Sequence, residues 1–256
     1  KDPPKHEDAI ARCCLKIKER GSMEKSIGIL GGMGPLATAD LLRKIVLVTR
    51  AEKDGDHVRV YIDDNPRIPD RTAAILSGGE SPLPQMTDSL EKLEKCGASC
   101  IIMPCNTAHY FLPELQKKTG TPFISMLAAT AKACAQKHPG KCAAVLATRG
   151  TLATGLYARA LEAENVRYLI PDEAEKDCLM HLIYDVVKAS KPLAPEAERW
   201  AQLLEGLHAR GADYFILGCT ELPIVAQSLP AEGPFVDPTE ELARAAVRFC
   251  GYETVE

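Results

Sequence analysis

From residue 23 onward the chain alternates short, densely apolar runs with longer amphipathic segments. The short runs fall at 26–30, 58–62, 99–103, 122–125, 143–147, 166–169, 214–217 and 235–236, and each predicts a buried strand. Between them, segments 36–50, 86–95, 152–164, 175–188 and 195–209 place apolar residues at helical spacing, and each predicts a crossover helix. Strand and helix in regular alternation mark βαβ units, so the fold class is α/β with parallel sheets. Residues 1–22 precede Gly21-Ser22-Met23, a junction that resembles a cloning scar followed by a start Met. They are read as a tag or extension outside the fold.

One pattern occurs twice, about half the chain apart. Cys100-Ile-Ile-Met-Pro-Cys105-Asn106-Thr107-Ala108-His109 and Tyr214-Phe-Ile-Leu-Gly-Cys219-Thr220-Glu221-Leu222-Pro223 each follow a glycine-containing turn. Each carries a cysteine where a strand hands over to a helix, the edge of an open α/β sheet at which ligands bind. The simplest reading is an internal duplication, with two α/β halves each presenting one thiol to a shared cleft.

Composition narrows the functional classes. With 46% hydrophobic and 26% charged residues, the chain has the balance of a soluble globular protein. A net charge of −4 lacks the basic excess that phosphate-backbone binding requires, so no nucleic-acid partner is expected. No apolar run reaches membrane-spanning length and no signal peptide is evident, so no membrane association and a cytoplasmic location are expected. The ten cysteines then read as reduced thiols. Cys13-Cys14 and Cys96-x-x-x-Cys100 lack the matched second half of a structural zinc site, so no metal is expected.

A lone cysteine is usually a small buried hydrophobe; a matched pair beside hydroxyl and amide groups reads differently. A helix N-terminus favours an anion and is expected to lower a thiol pKa from its ordinary value of about 8.5. Two thiols facing each other suit the inversion of a stereocentre beside a carboxylate: one takes a proton from one face, and the other delivers a proton to the opposite face. Cys105 and Cys219 are therefore the candidate catalytic residues, and no cofactor is called for.

Gly31-Gly32-Met33-Gly34-Pro35, Pro104-Cys105-Asn106-Thr107-Ala108-His109 and Gly218-Cys219-Thr220-Glu221-Leu222-Pro223 resemble the signature stretches of the aspartate/glutamate racemase family. The resemblance spans nearly everything from Met23 onward. It implies two pseudo-symmetric flavodoxin- or Rossmann-like domains with parallel sheets, and an active site in the interdomain cleft. It implies a cofactor-independent, two-base racemisation of an amino acid, independent of pyridoxal phosphate, in what is commonly a homodimer. It also implies a first domain of residues 23–124 completed by a C-terminal helix within 236–256, and a second domain of 125–235.

Asn65-Pro66-Arg67-Ile68-Pro69-Asp70-Arg71 resembles the corresponding stretch of the aspartate-specific branch, which points to aspartate as substrate. Arg71 is assigned to its side-chain carboxylate, because an arginine fork pairs bidentately with such a group. Lys188 falls near that branch's second cation, with Lys176 as rival. Asn106, Thr107 and Thr220 adjoin the thiols and are assigned to the α-carboxylate and amino group. Thr148 ends a strand and would line the cleft, or act as a plain helix cap. Met33 would close over a substrate that the neighbouring glycines let the backbone approach.

Rival readings stay open. Glutamate, hydantoin or maleate would serve as substrate for relatives on the same scaffold. Cys105 with His109 would make a Cys-His hydrolase or transferase, in which Cys219 is incidental. Gly32-x-Gly34-x-x-Ala37 matches a dinucleotide fingerprint, with Asp63 or Asp64 as the ribose acid of an NAD-dependent oxidoreductase, but the spacing to that acid is about thirty residues instead of about twenty.

Overall fold

The computed structural model describes residues 24–230 and 233–255; the extension at 1–22, Met23 and Cys13-Cys14 lie outside the described residues. The first half runs β1 (Ser26–Gly31), α1 (Pro35–Val48), β2 (Arg59–Asp64), α2 (Arg71–Leu76), α3 (Leu83–Lys95), β3 (Cys100–Ile102), α4 (Leu112–Gln116) and α5 (Met126–Lys137). The second half runs β4 (Cys142–Leu146), α6 (Arg149–Ala153), α7 (Leu156–Ala163), β5 (Arg167–Leu169), α8 (Glu173–Met180), α9 (Ala197–Ala209), β6 (Tyr214–Leu217), α10 (Leu222–Ser228), β7 (Phe235–Val236) and α11 (Pro238–Phe249).

Two parallel sheets result, ordered β2-β1-β3 and β5-β4-β6-β7. β1 is buried along its length because it is flanked on both edges, with Ile27 facing Val60 on β2 and Cys100 on β3. The strand expected at 122–125 survives as a single parallel bridge, Ile101 to Phe123. Ile101 N–H donates to Pro122 O at 2.9 Å, and Ile124 N–H to Ile101 O at 3.0 Å. Proline supplies an acceptor and no donor, which limits the ladder there. Counting this segment, both halves share one order: second, first, third, fourth.

Each sheet is covered on both faces, as parallel sheets require. Leu41 and Ile45 of α1 and Leu242, Ala246 and Val247 of α11 pack on Ile27 and Ile29, while Met86, Leu90 and Leu93 of α3 cover Leu30 and Ile101. In the second half Trp200, Leu203 and Leu207 of α9 pack on Phe215 and Leu217, and Leu161 of α7 packs on Val145 and Ile216. Full burial of such side chains stabilises by about 1.5–3 kcal/mol each. The last helix thus returns to the first sheet. Asp237 starts it by accepting from Thr239 N–H at 2.8 Å, and also receives the buried Lys44 ammonium at 2.6 Å. β7 belongs to the second sheet, so the boundary expected between 235 and 236 falls inside a strand.

Two expected helices differ in detail. Segment 152–164 is split into α6 and α7 by a turn at 154–155, and 175–188 becomes α8 followed by a π-helical turn, His181–Val187. Short helices α2, α4 and α10 escaped prediction because so few residues show no period; alanine-rich α5 carries a weak one.

Candidate active site

Every strand that supplies a site residue ends toward the same side, where the two halves meet around a cavity of about 290 Å³. All nine residues assigned to racemisation or to substrate binding line it. Met33 enters from the β1–α1 loop, Arg71 from the start of α2, and Cys105, Asn106 and Thr107 from the segment after β3. The second half supplies Thr148 after β4, Lys188 after the π-helical turn, and Cys219 and Thr220 after β6. Both thiols are buried, each 7% exposed, and one thiol from each half lines the same cavity.

Arg71 is held rigidly. It donates from one terminal nitrogen to Ile68 O at 3.1 Å and Pro69 O at 3.0 Å, and from the other to Met33 O at 3.1 Å, while its Nε has no partner. Burial pulls its pKa down, but the Cys105 sulfur, Asp70 and Tyr184 outweigh that and raise it. Lys188 is likewise raised against the pull of burial, by Glu221, Cys219, Tyr184 and Cys105. Its Nζ lies 3.8 Å from Glu221 Oε1 and 4.2 Å above the Tyr184 ring, a cation–π contact. Lys176, its rival, pairs with Glu173 at 2.7 Å and does not line the cavity. The π-helical turn carries this difference: Lys188 N–H bonds to Ile183 O, five residues back, at 3.0 Å, a widening common at functional sites.

Hydroxyls join the two halves. Thr107 Oγ1 lies 3.1 Å from Thr148 Oγ1 and 2.8 Å from Thr151 Oγ1, and Thr148 and Thr151 are 3.1 Å apart. Thr148 also caps α6, accepting from Thr151 N–H at 3.2 Å. It is both a lining residue and a helix cap. Asn106 Oδ1 accepts from Tyr157 OH at 2.7 Å, which leaves its buried Nδ2 without a partner and available to a ligand acceptor.

Two expectations are corrected. The segment after Cys105 opens as a 3₁₀ turn, Thr107–Phe111, and the helix after Cys219 is the short α10. At Cys219 the sign is reversed: burial, then the Glu221 carboxylate, push the thiol well above its ordinary value. The glycine reading also changes. At Gly32, with φ of 89°, a Cβ would come within 2.2 Å of the Asn65 backbone, so the neighbouring loop itself requires this glycine.

His109 is not a partner for Cys105 in acyl transfer. Its Nε2 accepts from Met126 N–H at 3.0 Å, so Nδ1 carries the proton and donates to Cys105 O at 2.9 Å. Burial lowers its pKa to about 4. The ring fixes the backbone of the cysteine, and both nitrogens are occupied.

Four further lining residues were not singled out: Asp70, Thr72, Tyr184 and Glu221. Tyr184 OH reaches Asp70 Oδ2 at 3.2 Å and Thr72 Oγ1 at 3.4 Å, across the junction of the halves. Its spacing four residues before Lys188 was the available signal, since i and i+4 share a helix face. Glu221 follows directly on Cys219-Thr220 in the sequence. A larger outer cavity of about 850 Å³ adjoins the site and shares Arg71, Lys188, Thr220 and Glu221 with it.

Comparison with known proteins supplies independent findings. The profile of the Asp/Glu/Hydantoin racemase family matches residues 30–246. The chain is similar to the aspartate racemase of Picrophilus torridus, with a TM-score of 0.75 and 31% identity, covering 90% of this chain and 96% of that one. It is 28% identical over 227 residues to the broad specificity amino-acid racemase RacX of Bacillus subtilis, covering 86% of this chain and 96% of that protein. A glutamate racemase of Lactobacillus acidophilus is 25% identical over 229 residues, covering 86% of this chain and 79% of that protein.

Proposed function

Because this chain belongs to the Asp/Glu/hydantoin racemase family, we propose that it interconverts the enantiomers of aspartate without a cofactor, using Cys105 and Cys219 as paired base and acid. One observation carries the reading: a thiol from each half lines the same cavity, together with the buried Arg71 guanidinium and the Lys188 ammonium. One thiolate takes the α-proton, the electron pair of the broken C–H bond passes into the α-carboxylate, and the opposite thiol protonates the other face. The second cysteine is left as thiolate, so the roles exchange with direction. A low-dielectric cavity strengthens every charge interaction that stabilises the developing carbanion.

Arg71 and Lys188 receive the side-chain carboxylate, and the free Nδ2 of Asn106 with the hydroxyls of Thr107, Thr148 and Thr220 hold the α-carboxylate and amino group. Met33 covers the bound molecule. The aspartate racemase of Picrophilus torridus supports this substrate, and the glutamate and broad-specificity relatives make glutamate the first alternative. The first sheet with α11 forms one domain and the second sheet, β7 included, the other, in a cytoplasmic homodimer.

Incubation in deuterium oxide with L-aspartate, L-glutamate and L-alanine, each alone, tests the proposal. Deuterium should enter the α-position of aspartate fastest, with D-aspartate appearing in step and no added pyridoxal phosphate or metal. Faster exchange of glutamate reassigns the substrate, and exchange into none of the three removes the reaction.

A further inference from the structure

The two thiols have different polar neighbours. Cys219 Sγ–H donates to Glu221 Oε2 at 2.9 Å, and Thr220 Oγ1–H donates to the same oxygen at 3.2 Å. Glu221 is 8% exposed, and its other oxygen faces Lys188 Nζ at 3.8 Å. Cys105 instead stands beside the Arg71 guanidinium. We propose that Glu221 is a positioning residue that holds the Cys219 proton in place, so that the resting enzyme presents Cys219 as acid and Cys105 as base.

This inference rests on the two-thiol reading above and adds which thiol waits protonated. A carboxylate that accepts S–H stabilises the thiol by hydrogen bonding and destabilises the thiolate by like charge. Burial acts in the same direction at Cys219. The groups facing Cys219 from the elements packed around it are Glu221 of its own segment, Tyr184 of the π-helical turn, Lys188 just after that turn, and Tyr157 of α7. Lys188 and the Glu221 backbone N–H favour the thiolate, and burial with the Glu221 carboxylate outweighs them. Cys105 then takes the part of base, because the two-thiol reaction needs one thiol and one thiolate.

A kinetic consequence follows from symmetry. Enantiomers have equal free energy, so kcat/KM is the same in both directions at every pH. A bias in the resting protonation state therefore shows in KM and kcat separately. The enantiomer whose α-hydrogen faces Cys105 meets the populated form and has the lower KM, while its mirror image is penalised by the fraction of enzyme in the competent state.

The test reads thiols directly. Iodoacetamide alkylation rates at the Cys219 peptide, followed by mass spectrometry from pH 6 to 11, should give a midpoint above the ordinary thiol value of about 8.5. In Glu221→Gln the midpoint should fall by at least about one pH unit, which is about tenfold faster alkylation at pH 8. Lys188→Met should move it the other way, and supplies the comparison if Glu221→Gln does not fold. An ordinary midpoint in the unaltered protein overturns the proposal, as does a folded Glu221→Gln with an unmoved Cys219 profile. Alkylation needs no turnover, so these outcomes are separate from the deuterium experiment: exchange without a Glu221 effect sinks this inference alone.

Discussion

Both ring nitrogens of His109 are committed to backbone partners, one as donor and one as acceptor, so the folded chain accommodates only the neutral imidazole. Its pKa lies near 4 in the fold against 6.5 when unperturbed. The unfolded chain takes up a proton as pH falls through 6.5, and the folded one does not until about 4. Stability present above 6.5 is therefore lost progressively across that window, by about 3 kcal/mol for this group. His109→Gln removes the titration. Urea unfolding between pH 4 and 7 should show a shallower loss of stability on acidification in the variant; parallel curves would take His109 out of the account. The same residue shows why a histidine four positions from a cysteine misleads, since spacing reports proximity and not the direction the ring turns.

Among elements, the approach of α6 to α2 decides how tightly the cavity closes. A Cβ on Gly150 would meet Thr72 Oγ1 at 2.8 Å and Thr72 Cα at 3.1 Å, and Thr72 and Thr148 both line the site. Gly150→Ala should spread these helices at a cost of about 1–3 kcal/mol in stability, and raise KM several-fold more than it lowers kcat. Steady-state kinetics with a melting curve checks this, and an unchanged KM would show that the junction yields elsewhere. The π-helical turn is the other element of consequence. Its sequence reads as an ordinary continuation of α8, and helical periodicity could not choose between Lys176 and Lys188. The added residue in one turn carries Lys188 to the cavity, while Lys176 stays near the start of α8 with Glu173.

Across the whole molecule, the halves are interlocked. Met126 packs in the first sheet's core and the next residue, Leu127, in the second's, while α11 follows the last strand of the second sheet back to the first. Lys137 of α5 ties to Glu241 of α11 at 2.6 Å. The protein has one tryptophan, Trp200, buried in the second half, whereas Leu242 lies in the first-half core. Leu242→Ala should cost about 2–5 kcal/mol. If the halves unfold together, Trp200 fluorescence should report that loss as a lower urea midpoint, and an unmoved midpoint would mean that they unfold independently.

Much of this architecture was legible in one dimension. Parallel strands, crossover helices and the placement of Cys105 and Cys219 just past matching strands depend on neighbours a few residues away, because hydrophobic periodicity and turn residues act locally. The repeat of one pattern in both halves even indicated that the two thiols would meet. Tertiary structure decided the quantities that sum over distant groups. The rise of the Cys219 pKa, the neutral state of His109, the hydroxyl cluster joining Thr107 to Thr148, and the presence of Glu221 and Tyr184 in the cavity all depend on burial and on charges far apart along the chain. Electrostatic and desolvation energies act through space, and the order of residues fixes that space only once the chain has folded.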